Sequence, residues 1–401
     1  MRKFRILIFI FVMMSFYTSS TARELNDKVV ISLLIASPNQ LQIVSSYGHA
    51  LLRVQNPELN IDYVVNYGLF DPTFTGFQTF VGIIRSKLNY EIWVMPFEEY
   101  YHETQKDDRM LVEHTFNFSP EETKSIWQNL IATVKNKDRK YTFNFFTQNC
   151  TTFARDLITY NLGDQIVLPD NLGHKTYRDI NLKYVKNKHW YVFTIDLLSG
   201  NNLDNKVPAY ESLYEPRELE NAWSKSYIIE GNGNKKPLFA SSSVLIKGNE
   251  SKETRTPFVL SPLFFSILFL LVILCVSIQE WKNKCHYNGF DIALFSLTGI
   301  LGIIFYLFKF ACSQWYVLMD WDMLWLHPLN LLVVLFIIKS FNKSLVVYHS
   351  INALMLCLLI IGMFFFAPDY NEAIAVFTVG LSFRSIAFLS RETQQKISKT
   401  I

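Results

Sequence analysis

Cysteine is scarce in the first two-thirds of this 401-residue chain: of its five cysteines, only Cys150 precedes residue 275. That excludes an intramolecular disulfide from the region, although exported domains ordinarily pair their cysteines. There is no Gly-rich phosphate loop and no G-x-S-x-G elbow, which removes nucleotide-cradling loops and the usual serine hydrolase turn. No His/Cys/Asp spacing resembles a zinc site, so no metal is expected. Charge of one sign is missing too. The formal net charge is +3 and no Lys/Arg-rich block stands out, which argues against a nucleic-acid partner. No internal repeat is visible.

Apolar residues are abundant and unevenly placed: half the chain is hydrophobic and 15% is aromatic. Met1-Arg2-Lys3, an apolar run from Ile6 to Tyr17 and the small residues Ser19-Ser20-Thr21-Ala22 read as a secretory signal peptide over residues 1–22. Five later segments, approximately 258–279, 290–312, 323–340, 345–367 and 372–390, are each about long enough to cross a bilayer. Lys282 and Lys284, then Lys339 and Lys343, then Arg391, Lys396 and Lys399 follow the first, third and fifth of these. The other two loops carry Asp320, Asp322, Asp369 and Glu372 and neither Lys nor Arg. The positive-inside rule therefore puts the C-terminus in the cytoplasm and the preceding domain outside, as the signal peptide also requires. The expected organisation is an exported domain over 23–223, a flexible Ser/Asn/Lys/Gly-rich juxtamembrane linker over 224–257, and a membrane domain over 258–401. Lys309 and Arg384 lie near span ends, where long cationic side chains can snorkel. The outer loop from Trp315 to Pro328 suits an aromatic belt or a lipid entrance.

Within the exported part, apolar runs bounded by turn residues predict strands over 29–36, 50–54 and 61–68, with a further strand at 111–118. Residues 98–109 read as a helix, and Ser119-Pro120-Glu121-Glu122 starts another that runs to about Lys135. Residues 189–198 read as strand-like or buried. Cys150 opens a further run in which Phe153, Leu157 and Ile158 repeat at helical spacing. A thiol at a helix N-terminus meets unpaired N–H groups and the positive dipole end, which favour thiolate. Such a nucleophile needs a base and a group that orients it. A hairpin closing near Pro57 and Glu58 would set Arg53 opposite Asp62 and His49 opposite Asn66, all on one face. His49 is then the candidate base, with Asn66 as its orienting partner and Asp62 as the second candidate for that third position. His102, His114, His174 and His189 are reserves.

The passages S-S-Y-G-H-A-L-L-R-V (45–54), V-V-N-Y-G-L-F-D (64–71), R-S-K-L-N-Y (85–90), F-F-T-Q-N-C-T-T-F-A-R-D (145–156), T-Y-R-D (176–179) and F-T-I-D-L-L-S-G (193–200) carry a resemblance. Together with the five spans, they make the chain similar to the Lnb-type family, named for a lipoprotein N-acyltransferase that acts as an intramolecular transacylase. His preceding Cys, with N-C at a helix start, also resembles the permuted papain-type folds of the NlpC and lecithin:retinol acyltransferase groups. The resemblance implies an α+β exported domain, papain-like and permuted, ahead of five transmembrane helices. It implies an enzyme of the cytoplasmic (inner) membrane, its catalytic domain on the periplasmic side. Cys150 would be the nucleophile and His49 its base, and a thioester would carry an acyl chain from a diacylglyceryl lipoprotein to that lipoprotein's N-terminal amine. Backbone N–H groups at the start of the Cys150 helix would hold the oxyanion, and Arg85, Tyr47 and Asn149 would help bind the substrate. No cofactor is required, because the donor is already an ester. The partners would be lipoproteins and membrane lipid. A cell-wall cysteine peptidase or amidase, and a non-catalytic membrane sensor, are the competing readings.

Overall fold

Strand β1 (Val30–Ala36) is buried on both faces, and its alternation divides the core of the first unit. Ile31, Leu33 and Ile35 point to one side and Leu34 and Ala36 to the other, as the two-residue strand period requires. In this computed structural model, residues 29–38, 46–70, 82, 85, 87, 89–135, 140–248, 257–312, 314–317, 320–366 and 370–400 are described. The proposed signal peptide lies outside them. The chain divides into two compact units, Met1–Tyr184 with Lys206–Glu253, and Val185–Asn205 with Thr254–Ile401.

The first unit is α+β, built on a seven-stranded antiparallel sheet. Around β1 lie β2 (His49–Asn56), β3 (Ile61–Phe70), β4 (Asn89–Pro96), β5 (Leu111–Phe116), β6 (Lys140–Thr142) and β10 (Phe239–Ile246), in the order β10-β5-β1-β2-β3-β4-β6. One face is covered through Tyr100 of α1 (Phe97–Lys106). The other packs against Ile126, Trp127 and Leu130 of α2 (Pro120–Lys135), Ala154 and Ile158 of α3 (Cys150–Leu162), and Leu219 and Trp223 of α6 (Pro216–Trp223). Helix α2 begins as its sequence predicts: Ser119 Oγ accepts from the Glu122 N–H at 3.2 Å, and Glu122 accepts from the Ser119 N–H at 2.7 Å. A small sheet of β7 (Ile166–Val167), β8 (Tyr227–Ile229) and β9 (Lys235–Pro237) completes the unit, with α4 (Tyr177–Val185).

Several expectations need correction. The β2–β3 hairpin pairs Arg53 with Val64 and Gln55 with Asp62, two residues from the expected register. Its turn is longer, because Pro57–Leu59 forms a 3-10 turn capped by Asn56 and closed by Asn60 in the left-handed region at φ +53°. A slip of two leaves every side chain on its original face, so the site residues still converge. Residues 224–257 are not simply a linker, since β8, β9 and β10 occupy much of the stretch. β10 is a largely exposed edge strand, so its polar composition resembles a linker, but its backbone completes the edge of β5. Residues 189–198 form a helix, α5 (His189–Ser199), grouped with the spans and not with the sheet. Asn371 donates to Asp196 at 2.8 Å and Trp190 to the Leu260 carbonyl at 2.6 Å, contacts that run within the second unit.

Among the described residues, the second unit contains five helical segments long and apolar enough to span a membrane: Pro262–Asn283, Asn288–Ala311, Trp315–Ile338, Asn342–Phe365 and Glu372–Gln394. These lie in α7 (Pro262–Asn283), α8 (Asn288–Ala311), α9 (Leu331–Ile338) with the 3-10 turns before it, α10 (Asn342–Phe366) and α11 (Glu372–Thr400). Ile304, Leu307, Leu354 and Phe364 show what bilayer-facing positions require: they are apolar and exposed. Arg384 and Lys309 do not snorkel. Arg384 is fully buried and pairs with Glu280 at 2.5 Å and Asp291 at 2.6 Å, while Lys309 pairs with Asp320. Among apolar neighbours an opposite charge a few ångströms away is a better partner for a cation than a distant interface. The unit also holds a groove of about 850 Å³ lined by Leu332, Phe336, Val347, Ile351 and Met355, with His327 and Asn352 among its few polar groups.

Candidate active site

The N-terminus of α3 is fixed by Asn149. Its Oδ1 accepts from the N–H groups of Thr151 at 2.8 Å and Thr152 at 2.9 Å, and the Thr152 hydroxyl accepts from the Asn149 N–H at 2.9 Å. Its Nδ2 donates to the carbonyls of Phe145 at 2.7 Å and Tyr214 at 3.1 Å. Although it lines the cleft, Asn149 is therefore a cap whose amide is engaged by protein, a different role from the substrate contact expected of it. Replacing Asn149 by alanine should destabilise the first unit by about 1–2 kcal/mol, which lowers its melting temperature by several degrees. Thermal unfolding of the full chain tests this, and an unchanged transition would contradict the capping role.

Gly48 and Gly68 let the chain close around Cys150. Gly48 sits at φ +88°, and a Cβ there would lie 2.7 Å from the Ala36 carbonyl oxygen. A Cβ on Gly68 would lie 2.8 Å from His49 Cε1 and 3.6 Å from the Cβ of Cys150, so a side chain at 68 would push on the imidazole. His49 Nε2 lies 2.8 Å from Asn66 Oδ1, and Asn66 is buried. An amide oxygen only accepts, so this contact puts the proton on Nε2 and leaves Nδ1 as the basic nitrogen. That is the tautomer a thiol proton needs.

The electrostatics of the pair follow from its setting. Burial works to raise the Cys150 thiol, but the charge of His49, its hydrogen bond, the Ala50 N–H and the Thr151 hydroxyl outweigh it and bring the pKa down to about 7. For His49, burial opposes the charged imidazolium, while the Cys150 charge and the hydrogen bonds to Cys150 and Asn66 overcome that and hold the imidazole above its ordinary value. Each partner thus favours the charged form of the other. The thiol is half-buried and opens on a cleft of about 90 Å³.

The other expected residues separate clearly. Tyr47 is buried and lines the cleft, its ring edge-on to Phe145 at 4.9 Å. Asp62 is held by Arg53 at 2.7 Å, and Asn66, not Asp62, contacts His49. Arg53 also reaches Glu113 at 3.1 Å and lies over the Phe97 ring, a charge cluster on the α1 face of the sheet. Arg85 is exposed and is not among the residues lining the cleft. His114 is held by Ser242 at 2.7 Å and Glu220 at 2.8 Å, and His102 pairs with Glu98 on α1, so neither serves Cys150. The sequence reading missed Glu215, which lines the cleft and is almost fully buried. Its one sequence signal is local: a residue before proline at a helix start is a capping position.

Two family descriptions match the chain. Residues 17–182 match the Lnb N-terminal periplasmic domain and residues 252–396 the Lnb transmembrane domain. No curated protein and no solved structure matches it. With its α+β periplasmic domain followed by five candidate membrane spans, the chain belongs to the Lnb family.

Proposed function

We propose that this protein is a cysteine-dependent lipoprotein N-acyltransferase of the cytoplasmic membrane, built on a permuted papain-like periplasmic domain. The observation that carries the reading is the Cys150–His49–Asn66 arrangement at the start of α3. The thiolate attacks an acyl ester of a diacylglyceryl lipoprotein, and the imidazolium gives its proton to the departing glyceride oxygen. The resulting thioester then passes the acyl group to the lipoprotein's N-terminal amine, leaving an amide and a lyso-type lipid. Because Asn149 occupies the Thr151 and Thr152 N–H groups, the Cys150 N–H is the helix-start donor left for the oxyanion. The membrane unit suits a substrate whose acyl chains stay in the bilayer, and its apolar groove is of a character that alkyl chains fill. No cofactor enters the scheme, since the donor ester supplies the activated acyl group.

Mass spectrometry of lipoprotein N-termini, from cells with and without the intact gene, tests the proposal. The expected result is that N-acylated, lyso-type termini disappear with the gene and free-amine diacylglyceryl termini take their place. Unchanged termini would rule out the transferase, and altered cell-wall peptides would favour the peptidase.

A further inference from the structure

Glu215 lines the Cys150 cleft, and one of its two carboxyl oxygens is buried without a hydrogen-bond partner among the described residues. Glu215 is only 1% exposed. One oxygen, Oε2, accepts from the Glu218 N–H at 2.8 Å and caps α6, while Oε1 is buried without a hydrogen-bond partner among the described residues. The nearby cations pair directly with Glu218, and Lys183 reaches Glu215 only through its field. Lys175 and Lys183 bind Glu218 at 2.8 and 2.7 Å, and the Tyr184 hydroxyl donates to Glu218 at 3.0 Å, lying close enough to Glu215 to act on it without a well-formed bond to Oε1. A carboxyl group buried with one oxygen unpartnered is costly unless something occupies it, and Glu215 borders the Cys150 cleft.

We propose that Glu215 receives the acceptor's primary ammonium group and takes its proton, so that the amine attacks the thioester on Cys150. The inference rests on the thioester reading given above and concerns only its second half. Once the acyl group is on sulfur and the glyceride has left with the imidazolium proton, His49 is neutral. The ammonium gives one proton to Glu215 Oε1. Its freed lone pair forms the N–C bond at the thioester carbonyl, and the C–S bond then breaks to return the thiolate. The second nitrogen proton passes to His49, which restores the starting ion pair and leaves the amide. Glu215 releases its proton to water as the cleft empties. Burial, with the Glu218 charge adding to it, pushes the Glu215 carboxyl up to about 8 against the Glu218 N–H, Tyr184 and Lys183. An α-amino group titrates near 7.7–8.0, so the two exchange a proton with little cost in either direction. The cleft then selects for an amine rather than water or an alcohol as acceptor, because an amine exchanges its proton with such a carboxyl group while water and alcohols hold theirs far more tightly.

The test uses the full-length protein in detergent with a synthetic diacylglyceryl-cysteinyl lipopeptide, comparing wild type with Glu215→Gln. Glutamine keeps the size and the capping oxygen but removes the base. Acyl-Cys150 should form in the variant at the wild-type rate and accumulate, while transfer to the amine slows by about 10²-fold or more. Raising the pH should restore transfer as the amine deprotonates unaided. Hydroxylamine, already unprotonated at neutral pH, should discharge both acyl-enzymes equally, which identifies the accumulated species as a thioester, and its formation at the wild-type rate reports a folded site. Transfer at the wild-type rate would overturn the proposal, and so would failure of the variant to form acyl-Cys150. If the wild type itself forms no acyl-Cys150, the thioester reading fails first, and the two failures are distinguishable.

Discussion

Substituting serine for Cys150 should reduce acyl transfer by roughly 10⁴-fold or more while leaving the fold intact. The reasoning starts from what His49 is arranged to do. Its field and hydrogen bond bring the thiol down to about 7, so a large fraction is thiolate at neutral pH. A serine hydroxyl ionises far above that range and would have to lose its proton during the attack, to a base placed for a larger, softer sulfur. Little else depends on the side chain. The α3 start is held by Asn149 and Thr152, and Cys150 only borders the main core. The variant's melting temperature should therefore lie within a degree or two of wild type, measured beside its activity on the lipopeptide. A folded Cys150→Ser protein that retained acyl transfer at the wild-type rate would show that Cys150 is not the nucleophile.

The second large effect concerns pH. Mutating His49 to alanine removes the two strongest influences holding the thiol down and leaves the burial that pushes it up. The Cys150 pKa should then rise to or above the ordinary thiol value near 8.5. Reactivity follows the thiolate, so alkylation by iodoacetamide should climb through a midpoint near pH 7 in wild type. In the variant the midpoint should lie at least a unit and a half higher. At pH 7 the labelling rate should fall by more than about tenfold, and the two proteins should converge above pH 9 or so. Four further cysteines lie in the membrane unit, so labelling must be read at the peptide carrying Cys150. Coincident profiles for the two proteins would show that His49 does not tune the thiol.

Much of this site could be read in the sequence because its determinants are local. Asn149 and Cys150 sit at a helix start whose capping chemistry is written in four adjacent residues. His49 and Asn66 belong to one hairpin, and strand alternation kept them on one face even though the register differed by two. What was not legible depended on distant partners. Glu215 enters the cleft from a segment far along the chain, and no periodicity announces that encounter. β10 reads as polar linker because an edge strand exposes most of its side chains, and only the waiting edge of β5 makes it a strand. Arg384 lies near the end of its span in sequence, yet Glu280 and Asp291 from two other helices hold it inside the bundle. The apolar run at 189–198 is a helix grouped with the membrane unit, and its composition alone does not separate a buried helix from a buried strand.

The central claim is that the acyl chain travels on Cys150, and it can be weighed directly. Full-length protein is mixed with the diacylglyceryl lipopeptide, quenched in acid within one turnover and digested, and the peptide containing Cys150 is measured by mass spectrometry. The predicted result is a fraction of that peptide heavier by one acyl group, with the addition removed by neutral hydroxylamine and absent from Cys150→Ser. Acyl transfer that proceeds with the Cys150 peptide unmodified, or with the acyl group on another residue, would contradict the account.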